Sequence, residues 1–141
     1  MTLLRSRGAS MSDRLPDARS LAMQLAAGRS VIGVVILAAP VPAARLLGAD
    51  TATAARVTWL TRMLGVRDGA LGVGGLDAVR RGTSATAWLL SGGVADAVDS
   101  LVVAAAVKQG RVGGVVPRFL VLGAAGSAAL HVLTAVRLRR R

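Results

Sequence analysis

Four long apolar stretches, separated by short polar segments, are the dominant pattern of this chain. They predict helices at about 17–39, 52–80, 84–107 and 117–138. At ~1.5 Å per residue, each of these helices is long enough to cross a hydrocarbon core of about 30 Å. We therefore predict an all-α, polytopic membrane protein that folds as a bundle of four transmembrane helices.

Proline residues mark two of the predicted helix boundaries. Pro40 follows the first helix and cannot continue it, whereas Pro117 fits the first turn of the last helix. The predicted organisation is a flexible basic tail at 1–16, a transmembrane domain at 17–138 and a basic tail at 139–141.

The distribution of basic residues predicts the orientation in the membrane, because cytoplasmic segments are enriched in Lys and Arg. Ten basic residues lie near the two tails and in the turn after the second helix: Arg5, Arg7, Arg14, Arg19, Arg80, Arg81, Arg137, Arg139, Arg140 and Arg141. The opposite side holds Arg45, Lys108, Arg111 and Arg118. We therefore expect a multi-pass protein of the bacterial cytoplasmic (inner) membrane with both termini cytoplasmic, as an even number of spans requires.

The composition narrows the class of protein. The chain is 53% hydrophobic with a mean hydropathy of +0.57. Its net charge of +11 would suggest nucleic acid binding in a soluble protein, but the arginines flank apolar stretches and no nucleic-acid-binding motif is present. The lack of cysteine excludes disulfides, thiolate metal sites and a cysteine nucleophile. The abundance of Ala, Val, Gly and Arg indicates a GC-rich, actinobacterial type of genome.

A cleaved signal peptide is the alternative to a first transmembrane helix. A basic start precedes the apolar run at 31–39, and Ala-Pro-Val-Pro-Ala-Ala follows it. However, Arg29 would lie inside the apolar region of such a signal, and the run begins late in the chain. A retained helix is therefore the preferred interpretation.

Six charged residues lie in the interior of the predicted transmembrane helices: Arg29, Arg62, Arg67, Asp68, Asp96 and Asp99. Charges at that depth are costly, so they face the protein interior and need partners. The three arginines and three aspartates make the set formally neutral. We predict that they form a buried charge cluster.

Depth along each helix predicts two layers in this cluster. The central layer contains Arg29, Arg67, Asp68 and Asp96. In the outer layer, Arg62 pairs with Asp99. Asp96 and Asp99 share one face of their helix because they are three residues apart. The cluster either fixes the packing of the helices or lines a cavity that binds a polar head group or relays protons.

Glycines form a smooth stripe on the second predicted helix. Gly65, Gly69 and Gly72 allow another helix to approach closely. The run Gly72-Val-Gly-Gly75 is not a phosphate-binding loop, because no strand precedes it and no Gly-Lys-Ser/Thr follows.

Catalytic groups are not predicted. His131 is the one histidine of the chain, and we expect it to form a hydrogen bond within the helix bundle rather than ligate a haem or metal. Ser91, Ser100 and Ser127 lack a nearby His–Asp arrangement, so a hydrolase triad has no support. We predict no cofactor and no metal site, and the residue pattern leaves enzymatic activity open while favouring a protein without it.

The pattern Arg62-x-x-Gly65-x-Arg67-Asp68, followed by Asp96-x-x-Asp99, resembles an uncharacterised bacterial family of small four-helix integral membrane proteins. Members of that family often carry an arginine and a glycine in the first helix, a proline after it, and an arginine at the start of the last helix. The matching residues here are Arg29, Gly33, Pro40 and Arg118. The resemblance covers roughly residues 20–137. It implies the fold and the importance of the charged positions, and it implies no activity.

Two functions fit these observations. The first is a non-enzymatic accessory or structural subunit of a membrane complex, organised by the buried Arg/Asp cluster. The second is a lipid- or small-molecule-binding bundle, such as a transporter or lipid-modifying enzyme, that uses the cluster as its polar site. The expected partners are membrane lipids and a second protein or a second copy of the chain. A hydrated cavity that reaches the cluster favours the second function, and a dry cluster favours the first.

Overall fold

The computed structural model describes residues 17–83 and 85–140, and within these ranges every regular element is a helix. In chain order the six helices are α1 (Ala18–Ala38), α2 (Pro40–Leu46), α3 (Thr51–Arg56), α4 (Thr58–Arg81), α5 (Ala85–Lys108) and α6 (Val115–Arg139). The all-α prediction is confirmed. The predicted tail at 1–16, together with Ser84 and Arg141, lies outside the described residues.

Three helices, α1, α5 and α6, are long and apolar enough to cross a membrane, which indicates a membrane protein. The prediction of four transmembrane helices is wrong. The difference lies in α4, where every 18-residue stretch contains at least three charged residues. The prediction that both termini are cytoplasmic was made from the distribution of basic residues and agreed with an even number of spans; three candidate spans remove that agreement.

The second predicted helix is interrupted near its start. It is divided at Val57 into α3 and α4, and the side chain of Asp50 caps α3 by accepting hydrogen bonds from the amides of Ala52 and Thr53. The segment between the first two predicted helices contains the short helix α2, with Pro40 at its first position. Such short helices leave little periodic pattern in a sequence.

The four long helices form two antiparallel pairs, α1 with α4 and α5 with α6. Glycines bring α1 and α4 together. A Cβ atom added at Gly33 would collide with the backbone of Gly69 and lie 2.8 Å from the carbonyl oxygen of Gly65. One added at Gly72 would lie 2.8 Å from the carbonyl oxygen of Ala26. The predicted glycine stripe is therefore a helix contact, in which Gly69 contributes its backbone.

The buried apolar core is small and the outer surface is apolar. Ala22, Val79, Leu89 and Ala135 form the core between the two helix pairs. Large apolar side chains such as Val34, Leu101 and Leu122 are exposed on the candidate spans. A surface of this kind suits contact with lipid rather than with water.

Candidate functional site

Arg29 is the centre of the charged site. It lies midway along α1 and is only 7% exposed. Its Nη1 donates to Asp68 Oδ1 at 2.8 Å, and its Nη2 donates to Asp96 Oδ1 and to the carbonyl oxygen of Gly92 at 3.1 Å. One guanidinium group therefore connects α1 to both α4 and α5.

Arg67 makes the second set of contacts, between α4 and α5. Its Nη1 and Nη2 donate to the two carboxylate oxygens of Asp99 at 3.0 and 2.5 Å, and Nη2 also contacts Asp68 at 3.3 Å. Asp68 is thus shared between the two arginines. We call Arg29, Arg67, Asp68, Asp96 and Asp99 the ion-pair cluster.

The structure places five of the six predicted charged residues in this cluster and leaves out Arg62. The expected Arg62–Asp99 pair is not formed, because Arg67 occupies both oxygens of Asp99. Arg62 is exposed on α4 and has no ion pair within the described part of the chain. The four residues of the predicted central layer, Arg29, Arg67, Asp68 and Asp96, are connected by ion pairs.

Two residues of α6 extend the polar site. The hydroxyl of Ser127 donates to Asp96 Oδ2 at 2.6 Å. The Nδ1 atom of His131, which is 4% exposed, lies 2.9 Å from the carbonyl oxygen of Ser127 and 3.5 Å from Asp96 Oδ2. This agrees with the expectation that His131 forms a hydrogen bond within the bundle, and the nearest partner lies one turn back on its own helix. Gly92 and Gly93 of α5 leave the room that the imidazole ring occupies.

Ser127, His131 and Asp96 do not form a hydrolase triad, although they lie together. In a triad the histidine stands between the other two residues and accepts the serine proton. Here the serine donates directly to Asp96. The Nδ1 atom of His131 faces a carbonyl oxygen, which can only accept, so this nitrogen carries a proton and cannot serve as the base.

Sequence reasoning treated Ser127 and His131 separately and did not connect either of them with Asp96. Their four-residue spacing on one helix was the available signal, because it places both side chains on the same face. Within the ranges 17–83 and 85–140, no group of three His, Asp, Glu or Cys side chains is arranged to hold a metal ion.

Two large cavities reach the ion-pair cluster, in addition to a small one of about 10 Å³ beside Arg29 and His131. The first, of about 210 Å³, is lined by polar groups of Arg29, Asp68, Asp96, Ser127 and His131 and by apolar residues of α1; we call it the cluster cavity. The second, of about 350 Å³, lies against the carboxylates of Asp96 and Asp99 and has mainly apolar walls; we call it the apolar cavity. The two share Ile32, Asp96 and Ser127 as lining residues. The site therefore combines tightly paired charges with open space.

Comparisons with protein-family models, with curated proteins and with solved structures find no match to this chain.

Proposed function

We propose that this chain is a small, multi-pass integral membrane protein of the bacterial cytoplasmic membrane, and that it acts without catalysis as an accessory or structural subunit of a membrane complex. The observation that supports this proposal is the ion-pair cluster. Three ion pairs connect α1, α4 and α5 through Arg29 and Arg67, and a fourth joins Arg67 to Asp68 within α4. Loss of one partner from a buried pair typically costs ~3–5 kcal/mol, so these contacts fix one arrangement of the helices.

The outer face of α4 supports association with a second membrane protein. Trp59, Met63 and Val66 are exposed there, and the charged side chain of Arg62 is exposed among them. An arginine on an apolar surface is costly in a membrane unless an anionic group faces it. A partner helix that carries a carboxylate would satisfy Arg62. We propose that such a helix, or lipid where no partner is bound, covers this face.

Gentle purification from native membranes, followed by mass spectrometry of everything that stays bound, tests the proposal. We expect a stoichiometric larger protein, and we expect Arg62→Gln to release it. Arg118→Gln is the matched control, because Arg118 is an exposed arginine on a different helix, α6. Recovery of the chain alone, with no protein retained by the wild type, would count against an accessory role.

A second function, binding of a small molecule, is favoured by the two cavities. They bring open space to Asp96 and Asp99, as a ligand-handling protein requires and a purely structural cluster does not. If the chain binds a small molecule, we expect the purified wild type to retain a small molecule or lipid, and we expect the Arg67→Ala variant to lose it. Asp96→Asn separates the two functions, because a structural cluster loses stability whereas a ligand site loses its ligand with the fold intact.

A further inference from the structure

A groove between the antiparallel helices α5 and α6 combines an apolar wall with two basic residues. Its volume is about 340 Å³, within the range of small-molecule sites. The lining consists of the apolar residues Ala104, Val107, Val121 and Leu122 and the basic residues Lys108 and Arg118. We call it the α5–α6 groove. Both helices are candidate membrane spans, so a groove on their surface is open to lipid when they cross a membrane.

The basic residues of the groove lie at the end where the two helices are connected. Lys108 is the last residue of α5, and Arg118 is in the first turn of α6. Ala104 lies four residues before Lys108, which places it ~6 Å deeper along α5 at ~1.5 Å per residue. Leu122 lies four residues after Arg118, the same distance deeper along α6. The groove is therefore charged where the spans end and apolar toward their middle.

The two basic residues of the groove are not neutralised within the described part of the chain. Both are exposed, and neither forms an ion pair there. Arg111, in the turn between the two helices, adds a third positive charge. The carboxylates toward this end of the bundle are engaged elsewhere, because Asp99 pairs with an arginine of α4 and Asp50 caps α3. Residues 101–141 contain no Asp or Glu, so this end of the groove favours an external anion.

From these observations we infer that the α5–α6 groove binds one anionic phospholipid. Its phosphate group lies between Lys108 and Arg118, and one acyl chain lies along the apolar wall. Basic residues between membrane spans attract anionic head groups, and the apolar wall adds a contact that a free phosphate ion cannot make. The groove lies on α5 and α6, so loss of lipid there and loss of a partner protein from the α4 face are separate results.

Native mass spectrometry of the detergent-purified chain tests the inference, with phosphatidylglycerol and phosphatidylcholine that carry the same acyl chains. We expect one phosphatidylglycerol per chain, bound about tenfold or more tightly than phosphatidylcholine. The double variant Lys108→Gln, Arg118→Gln should lose this preference. The control is Arg137→Gln, Arg139→Gln, which removes the same charge from exposed positions at the opposite end of α6 and should keep the preference.

Ala104→Phe tests the apolar wall separately, because it fills the groove and leaves both basic residues in place. It should weaken phosphatidylglycerol binding about tenfold or more. Thermal unfolding should be unchanged in the variant that lacks Lys108 and Arg118, since neither is paired. Equal loss of preference in the control variant would show that the attraction is general, and the inference would be wrong. Equal binding of the two lipids by the wild type, or an unchanged affinity in Ala104→Phe, would overturn it as well.

Discussion

Arg67 and Asp99 form a two-pronged ion pair between α4 and α5, with nitrogen–oxygen distances of 3.0 and 2.5 Å. Parallel bonds of this kind combine charge attraction with a fixed geometry, which lysine would not supply. The two side chains are about one-third exposed, at 34% and 36%. The pair therefore lies at the edge of the cluster, whereas Arg29 lies at its buried centre.

A double-mutant cycle on Arg67→Ala and Asp99→Ala should measure a coupling energy of about 1–2 kcal/mol, because the two side chains are in direct contact. The measurement is the free energy of unfolding in detergent micelles. In the same cycle on Arg62→Ala and Asp99→Ala, the changes in unfolding free energy should add within ~0.5 kcal/mol, since no contact joins these two residues. If Arg62 had a larger coupling energy with Asp99 than Arg67 has, Asp99 would be paired with Arg62 rather than with Arg67.

The contact between α1 and α4 can be tested at one glycine. Gly33→Ala should lower the unfolding free energy by about 1–3 kcal/mol, because the added Cβ collides with the Gly69 backbone. Gly28→Ala is the matched control on the same helix, since a Cβ there meets nothing within 4 Å. Thermal unfolding of both variants measures the difference. Equal stability would mean that α1 and α4 are not in close contact at Gly33.

Capping of α3 by Asp50 should depend on pH. The hydroxyl of Thr53 donates to Asp50 at 2.5 Å and, together with the Thr53 amide, lowers the pKa of the Asp50 carboxyl below its usual 3.8. Because the folded pKa is lowered, capping stabilises α3 above the unfolded pKa and is lost as the pH falls through the folded value.

Hydrogen exchange of the Ala52 and Thr53 amides measures this dependence. Their protection should decrease as the pH is lowered below about 3.8 in the wild type. Asp50→Asn retains a capping oxygen but cannot titrate, so its protection should stay constant across the same range. A decrease that persists in Asp50→Asn would have a different origin.

The sequence allowed the long helices and the central charges to be predicted, because both follow from the regular rise of a helix. Arg29, Asp68 and Asp96 lie at matching depths and do meet. Depth does not decide which side chain faces which neighbour. Arg62 and Arg67 are five residues apart and point about 140° away from each other, so only one of them can face α5. The assignment of Asp99 to Arg62 was therefore wrong.

Two other errors have physical causes as well. The apolar residues of α4 suggested a membrane span. However, every 18-residue stretch of α4 contains at least three charged residues, which is more than a candidate membrane span contains. The polar extension through Ser127 and His131 depends on how α6 packs against α5, which a single sequence does not contain. The cavities could not be predicted for the same reason.

The most direct test of the cluster's role is to compare Arg29→Met with Arg62→Met. Both variants replace an arginine on a long helix, but Arg29 is buried at the centre of the ion-pair cluster and Arg62 is exposed. The unfolding free energy of Arg29→Met should fall by ~3–5 kcal/mol, because Asp68 and Asp96 lose their shared partner. Arg62→Met should change it by less than ~0.5 kcal/mol. Equal effects of the two substitutions would contradict the claim that the cluster holds the helices together.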